Sequence, residues 1–435
     1  MADQPKLPLE GIRVLDMGVV LAGPQGALLL ADLGAEVIRV ESTQHFPPQT
    51  RGIYAHPSQA SVNASIPSAG GYPMRQPGER PWNRFPWFNT TARNKLGMTI
   101  DLKKPRGQEL FKKLVALSDV LVTNQTPGTM DEIGLGYHVL AALNPGLVFV
   151  EASSFGSTGP YQRYRALGLQ MEAYAGHDLL RHYPDRDVSS NTWAVTADAA
   201  GAVGIALAAQ MALFARLRTG RGQYVDLSMV ENFLGLIGPS VLNYTFNGTV
   251  PETIGNRDYA AVQGCYPCAG VDRWLVLTLW TDGDWAAFCR AACTPAGCDD
   301  ARFATVESRR ANHDAIDAII ASWTKGLTAA EAVARLRAEG VAAGPVLDDA
   351  DATADLHLAA RDYFLTIPHE DAGTHRYPGF PYRFHEAPLT VRQPPVRLGE
   401  HNEYVYKQLL GVTDAEYAQL EAEGHIGTEY APHIR

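Results

Sequence analysis

Residues 9–24 have the sequence LEGIRVLDMGVVLAGP, and residues 30–41 continue as LADLGAEVIRVE. The apolar run over 12–17, bounded by glycines, predicts a buried parallel strand. A glycine–proline pair then opens a predicted helix over 25–33, and a second strand is predicted over 36–40. The stretch therefore predicts a βαβ unit whose first turn offers free backbone N–H groups to a phosphate or a carbonyl oxygen.

The same alternation continues through the first half of the chain. Strands are predicted over 120–123, 147–151 and 223–228, and helices over 106–117 and 196–217. This pattern indicates an α/β fold with a modified Rossmann-like large domain built on a parallel sheet. No GxGxxG motif is present, so a nicotinamide or flavin site is not indicated.

A second α/β pattern follows a loosely structured linker over 243–256. It begins with predicted strands over 266–269 and 274–279, followed by helical segments. The predicted organisation is a large domain over 1–245, a smaller α/β domain over 246–360, and a C-terminal return to the large domain over 361–435.

One long segment, 44–88, interrupts the first pattern and is rich in proline. A loop of this length in a compact domain is usually functional, which favours a lid or a partner contact. Four aromatic residues at its end are predicted to anchor it to the core: Trp82, Phe85, Trp87 and Phe88.

Composition excludes several classes of function. The 435 residues include 47 acidic and 37 basic side chains, with a net charge of −10, which does not suit nucleic acid or acidic membranes. The apolar run over 199–215 is interrupted by Gln210, which favours a buried helix over a membrane span. The N-terminal residues lack the pattern of a signal peptide, so a cytoplasmic location is expected.

All five cysteines lie between Cys265 and Cys298. The spacing of Cys265, Cys268, Cys289 and Cys293 superficially matches zinc ligands. Their apolar neighbours favour reduced, packed thiols and no metal. Metal analysis of the purified protein would separate the two readings.

Motifs spread along the chain carry a family resemblance. They include TGRGQ at 219–223, LGEH at 398–401, and FGSTGPY at 155–161 followed by LGLQMEAYAG at 167–176. With the N-terminal segment, they resemble family III CoA-transferases, the group of formyl-CoA transferase, carnitine CoA-transferase and α-methylacyl-CoA racemase. The resemblance implies CoA thioesters as substrates, no further cofactor, and an interlocked-ring dimer in which each small domain covers the other subunit's site.

The resemblance also assigns the CoA contacts. It implies backbone contacts at the first βα turn, phosphate contacts from two cations, and one amide near the thioester; these residues are Val20, Leu21, Ala22, Arg39, Lys95 and Asn124. An ordinary ion-pair role for the two cations stays open. Ser42 and Glu132 stand where relatives carry arginine, which predicts a degenerate CoA site.

Gly168 stands where the resemblance places the catalytic aspartate, which becomes an acyl anhydride and then a CoA thioester. A glycine supplies no nucleophile, and Ser153, Ser154 and His177 form no recognisable nucleophile–base pattern. No catalytic residue is therefore predicted in this chain.

These observations predict a noncatalytic subunit beside a homologous, aspartate-bearing CoA-transferase subunit. The pair would move CoA from a donor such as succinyl-CoA to an organic acid such as benzylsuccinate, in aromatic degradation. Two alternatives stay open: a self-sufficient transferase that uses Glu172, and a noncatalytic acyl-CoA binding protein. The acceptor acid, the stereochemistry and the stoichiometry are not determined by the sequence.

Overall fold

The computed structural model describes residues 6–65, 71–192, 194–293 and 297–434. The chain divides into two compact units. The larger contains Met1–His177, Trp193–Phe246 and Asp362–Arg435, and the smaller contains Asp178–Thr192 and Asn247–Arg361.

Residues 178–192 belong to the smaller unit, whereas the sequence analysis assigned them to the large domain. The physical reason is hydrogen bonding to the segment that begins the smaller unit. Thr253 donates its hydroxyl to the carbonyl of His182, and Asn256 donates its side-chain amide to the Tyr183 hydroxyl at 3.1 Å.

A six-stranded parallel sheet forms the centre of the larger unit, in the order β3-β2-β1-β4-β5-β6. The strands are β1 Arg13–Asp16, β2 Glu36–Glu41, β3 Lys95–Thr99, β4 Val120–Thr123, β5 Val148–Ser153 and β6 Gln223–Ser228. This is the doubly wound order, which reverses between β1 and β4. The predicted parallel α/β sheet is confirmed, and β3 is the strand that the sequence analysis did not assign.

Helices connect these strands and cover both faces of the sheet. Those before β5 are α1 Ala22–Asp32, α2 Gln59–Ala64, α3 Pro86–Thr91, α4 Pro105–Ala116, α5 Thr129–Glu132 and α6 Tyr137–Leu143, with 3-10 turns at Pro73–Arg75 and Pro81–Asn83. Helix α1 begins at Ala22, earlier than predicted, and Pro24 lies in its first turn. Proline is tolerated there because the first N–H groups of a helix have no intrahelical partner.

The loop over 44–88 is fastened to the sheet by a buried ion pair. Arg51 is fully buried and makes two hydrogen bonds to Glu41, at 2.7 and 2.6 Å, while its guanidinium carbon lies 3.6 Å from the centre of the Phe88 ring. Trp82, Phe85 and Phe88 are buried, as predicted, and Trp87 is half-buried. Residues 66–70 of the loop lie outside the described residues.

Between β5 and residue 247, the described residues form α7 Gly168–Tyr174, α8 His177–Arg181, α9 Thr196–Thr219, α10 Met229–Leu234 and α11 Gly238–Asn247, with 3-10 turns at Val188–Ser190 and Gly235–Ile237. By length and composition, α9 would be able to cross a membrane. One of its faces packs against α1 in a fully apolar core that includes Leu30 and Ile205. Its other face is an exposed apolar stripe: Val203, Leu207, Met211, Phe214 and Leu217. The expectation of a buried helix therefore holds for one face.

The smaller unit has its own antiparallel sheet of β7 Val262–Pro267, β8 Trp274–Leu279 and β9 Ala342–Pro345. Its helices are α12 Asp282–Ala291, α13 Val306–Ala311, α14 His313–Thr324, α15 Ala329–Ala338, α16 Asp349–Ala354 and α17 Leu356–Ala360, with a 3-10 turn at Ala301–Phe303. They enclose a separate core that includes Phe288 and Ile316.

Cys289 and Cys298 form a disulfide in this unit, which contradicts the expectation of reduced thiols throughout. Their Cα atoms lie 5.9 Å apart, within the range that a disulfide spans. Cys289 lies in α12 and Cys298 lies beyond the end of that helix, and the fold brings their side chains together. Cys265, Cys268 and Cys293 are free thiols.

The C-terminal segment adds the hairpin β10 Phe364–His369 and β11 Gly373–Pro378, a π-helix over Tyr404–Leu409, and α18 Asp414–Ala422. It covers the edge strand β3. Asn402 accepts the Thr99 N–H at 2.8 Å, and the Tyr406 hydroxyl donates to the Thr99 carbonyl at 2.8 Å. These bonds use groups near the sheet edge that would otherwise be open to pairing with another chain.

Candidate active site

A cavity of about 610 Å³ opens at the carboxyl ends of β1, β4 and β5. This is the point where the strand order reverses, the usual ligand position in an open α/β sheet. Its wall is built by the turn after β1, the end of β2, the loop near His45, the turn after β4 and the segment before α7.

The turn after β1 is held in a constrained conformation. Val20 has a φ of 61°, a left-handed value that is costly for a β-branched residue. Its N–H donates to the Thr50 hydroxyl at 2.9 Å. Asn124 fixes the neighbouring Val19, accepting its N–H at 2.6 Å and donating to its carbonyl at 3.0 Å. Val20 and Asn124 line the cavity, and the Asn124 amide is committed to the turn.

Leu21 and Ala22, the other two turn residues assigned to CoA, are buried and lie outside the cavity lining. Ala22 is the first residue of α1, and its backbone N–H favours the charged form of the Asp198 carboxylate, which opposes the rise in the pKa of that residue. Its contribution to the site is therefore a backbone donor that reaches a side chain in the wall.

Arg39 and Lys95 belong to a buried charge network around Asp16. Lys95 lies 2.8 Å from one carboxylate oxygen of Asp16, and Arg39 lies 3.1 Å from the other. Burial would raise the pKa of Asp16, but these two cations hold it below its ordinary value. Burial lowers the pKa of Lys95, and Asp16 opposes that shift. Lys95 lies outside the cavity lining. Arg39 lines the cavity, but its guanidinium is paired with Asp16. These contacts favour an ion-pair role for both cations.

The cavity is also lined by two exposed cations, Lys103 and Arg165. Neither was predicted from the sequence. Neither side chain makes an ion pair within the part of the chain that the structure describes. Of the two departures noted in the sequence, Ser42 lies in the cavity wall, whereas Glu132 is exposed and outside it. The cavity therefore presents two exposed cations in spite of these departures, in a lining that also contains Glu41, Asp101 and Asp198.

Asp198, in the first turn of α9, places its carboxylate in the wall of the cavity. The residue is only 9% exposed. Burial, and then the negative charge of Glu172, raise its pKa to about 6, while hydrogen bonds from the N–H groups of Gly168 and Ala22 act in the opposite direction. A carboxyl group with a strongly raised pKa in a cavity is a candidate for chemistry.

The carboxylate of Asp198 fills the space beside Gly168. A Cβ added to Gly168 would overlap with Oδ2 of Asp198. Position 168 carries no acid in the sequence. In the folded chain, the Asp198 carboxylate from α9 occupies the space beside it.

Glu172, the alternative nucleophile of the sequence analysis, is fully buried and does not line the cavity. One of its oxygens accepts the Ala197 N–H at 3.1 Å, and the other lies 3.0 Å from Nδ1 of His177. Both oxygens are therefore occupied, which does not support attack on a substrate. The hydroxyl of Ser153, by contrast, lines the cavity, is buried, and has no hydrogen-bond partner among the described residues.

Sequence reasoning missed Asp198, Lys103 and Arg165. A weak signal for Asp198 is an acid in the first turn of a helix that is otherwise almost wholly apolar. Because acids are common in the first turn, where they complement the helix dipole, that signal alone does not separate a catalytic carboxylate from a structural one. The cations carry no local signal, since they meet only in the folded chain.

Comparisons with known proteins agree with this architecture. The sequence model of CoA-transferase family III matches residues 9–402. Succinyl-CoA–D-citramalate CoA-transferase of Chloroflexus aurantiacus is 34% identical over 424 residues, covering 97% of this chain and 99% of that protein. The beta subunit of succinyl-CoA–L-malate CoA-transferase from the same organism is 30% identical, covering 96% of this chain and 98% of its own.

Among solved structures, a CAIB/BAIF family protein from Brucella suis matches with a TM-score of 0.79 and 28% identity, over 93% of this chain and 100% of that one. The doubly wound sheet, the cavity at its reversal point and the matches along nearly the whole sequence lead to one assignment. The chain belongs to CoA-transferase family III.

Proposed function

We propose that this chain itself transfers CoA from an acyl-CoA donor to a carboxylic acid, with Asp198 as the nucleophile. The observation that carries the proposal is the Asp198 carboxylate in the cavity wall, beside the N–H groups of Ala22 and Gly168. Several relatives are named as succinyl-CoA transferases, which supports succinyl-CoA as the donor.

The proposed reaction proceeds through covalent intermediates on Asp198. The carboxylate attacks the thioester carbonyl, the C–S bond breaks, and an aspartyl anhydride and CoA thiolate result. The thiolate then attacks the aspartyl carbonyl, releasing the donor acid and leaving an Asp198–CoA thioester. An acceptor carboxylate attacks that thioester and displaces the CoA thiolate, which leaves a second aspartyl anhydride. The thiolate then attacks the acceptor carbonyl of this anhydride, forming the acyl-CoA product and releasing the Asp198 carboxylate.

The surroundings of Asp198 suit these steps. The backbone donors of Ala22 and Gly168 reach the carboxylate, where they can stabilise charge on its oxygen as the tetrahedral intermediates form. The unpartnered hydroxyl of Ser153 is a further donor in the cavity wall. Lys103 and Arg165 supply positive charge for the phosphates of CoA.

A second candidate is the noncatalytic subunit that the sequence analysis predicts. Two relatives are named as the alpha and beta subunits of one CoA-transferase, which favours a heteromeric arrangement. In that candidate a homologous subunit with an acid at the position of Gly168 would carry out the transfer. The most specific acceptor proposed for it is benzylsuccinate.

Either candidate requires association with another chain if the interlocked dimer of the resemblance is formed. The exposed apolar stripe of α9 supports such an association, because a contiguous apolar surface is typical of an interface. Native mass spectrometry of the purified chain, alone and coexpressed with a homologous subunit, measures the assembly.

The decisive experiment uses the purified chain without a second subunit. Incubation with succinyl-CoA, followed by hydroxylamine or borohydride trapping and peptide mass spectrometry, is expected to modify Asp198. Asp198→Ala is expected to lose the modification and CoA transfer, each by at least about a thousandfold. Absence of turnover by the wild-type chain, together with activity on coexpression with a homologue, would support the second candidate instead.

A further inference from the structure

A second acid lies directly behind Asp198. Glu172 is one turn along α7 from Gly168, and its side chain is fully buried. It accepts the N–H of Ala197, the residue that precedes Asp198, at 3.1 Å. Burial of a carboxylate is costly unless its oxygens are hydrogen-bonded, so this contact holds Glu172 against the first turn of α9.

His177 holds the other side of Glu172. Its Nδ1 lies 3.0 Å from Oε2 of Glu172, and because an ionised carboxylate only accepts, Nδ1 carries the proton. The imidazole packs edge-on against Phe233 of α10, with ring centres 5.2 Å apart. The side chain of His177 is 22% exposed, and its ring is held between Glu172 and Phe233.

Several charged groups surround this pair. Helix α7 contributes Glu172 and α9 contributes Asp198, whereas α10 presents the apolar side chains of Met229 and Phe233. Helix α8 contributes His177 and also Asp178, whose carboxylate has an oxygen within 4.8 Å of polar side-chain atoms of Glu172 and His177 and pairs with Arg181 at 3.2 Å. Glu172 is the charged group that raises the pKa of Asp198 after burial.

We propose that Glu172 and His177 form a positioning pair for Asp198, fixing the first turn of α9 through the Ala197 amide and placing a negative charge behind the carboxylate. The proposal deepens the function proposed above and rests on it for its kinetic readout. Glu172 and Asp198 are both buried, so their two carboxylates repel each other more strongly than they would in water. Acylation makes Asp198 neutral and removes this repulsion, so Glu172 favours formation of the aspartyl anhydride and thioester over free Asp198.

The first test replaces the charge and keeps the shape. Glu172→Gln retains an oxygen for the Ala197 N–H. It is expected to move the acid limb of the pH profile of kcat/KM about one pH unit lower and to reduce kcat about tenfold. Glu231→Gln, which removes an exposed acid from the first turn of α10, is the matched control and is expected to leave both unchanged.

The second test separates positioning from charge at His177. His177→Phe removes the donor to Glu172 and is expected to lower kcat about tenfold, while His177→Asn, which restores an N–H donor, is expected to recover most of it. Equal losses in both variants would contradict the proposal.

A third measurement does not depend on turnover. Carbodiimide coupling of glycinamide modifies a protonated carboxyl group, so its pH dependence at Asp198, measured by peptide mass spectrometry, reports the ionisation of that residue. The midpoint in Glu172→Gln is expected about one pH unit below that of the wild type. If Glu172→Gln shifts the midpoint but the wild type transfers no CoA, the proposed function is overturned and the positioning pair is not. If Glu172→Gln changes neither the midpoint nor the pH profile, the positioning pair is overturned.

Discussion

The carboxylate of Asp198 occupies the space that any side chain at Gly168 would need. The two residues lie in the first turns of different helices, α9 and α7, and the Gly168 N–H favours the charged form of that carboxylate. A glycine is therefore needed at position 168 to leave room for the Asp198 carboxylate. Its absent side chain makes room for a carboxylate and exposes a backbone donor to it.

Gly168→Ala tests this relationship. The added methyl group must displace the Asp198 carboxylate, and because transfer depends on its placement, kcat is expected to fall about a hundredfold with a smaller change in KM. Steady-state kinetics measure the effect. Gly235→Ala is the matched control, since a Cβ there meets nothing within 4 Å, and it is expected to stay within twofold of the wild type. A fully active Gly168→Ala enzyme would contradict the geometry.

Asp198→Asn tests the raised pKa through stability. The folded-state pKa of about 6 lies above the ordinary aspartate value of 3.8, so the stabilisation from the neutral carboxyl is complete below about pH 3.8 and is lost as pH rises through 6. Between pH 4 and pH 7, the unfolding free energy of the wild type is therefore expected to fall by about 2–3 kcal/mol relative to that of Asp198→Asn. Urea unfolding at both pH values measures this difference. Asp349→Asn, at an exposed acid in the first turn of α16, provides the baseline. A pH-independent difference would be inconsistent with the shift.

Lys103→Ala and Arg165→Ala test the proposed phosphate contacts. Each is expected to raise the KM for acyl-CoA about tenfold at low salt with little change in kcat, because the cation binds substrate away from the reacting carbonyl. The effect is expected to shrink at high ionic strength. Lys113→Ala, at an exposed lysine outside the cavity, is the control. If KM is unchanged in both cavity variants, the phosphates bind elsewhere.

Cys298→Ala tests the disulfide of the smaller unit. Opening the loop that Cys289 and Cys298 close is expected to cost about 2–3 kcal/mol of unfolding free energy, because the unfolded chain regains conformational entropy. Thermal unfolding measures the loss, and alkylation with mass spectrometry counts the thiols. Cys293→Ser, at an exposed free thiol, is expected to leave stability almost unchanged. Equal stability of the wild type with and without reductant would show that the bond contributes nothing.

The buried network around Asp16 explains why two predicted CoA residues are better described as structural. A basic side chain at a strand of a nucleotide-binding sheet has the same sequence appearance whether it meets a phosphate or a carboxylate. Arg39 and Lys95 meet the same carboxylate and are both buried, which favours the ion-pair role. The sequence offered both interpretations, and the contacts favour one.

The sequence by itself determined the parallel α/β sheet, since the strands at 120–123 and 223–228 follow from local apolar periodicity. It also determined the family, because motif order along a chain requires no knowledge of distances. Only the tertiary structure decided where the acid of the site comes from. Gly168 and Asp198 are far apart in sequence, and their helix starts meet because α7 and α9 pack together beside the reversal point of the sheet. A missing side chain in one segment and a carboxylate in another become a single site only when packing brings them within contact.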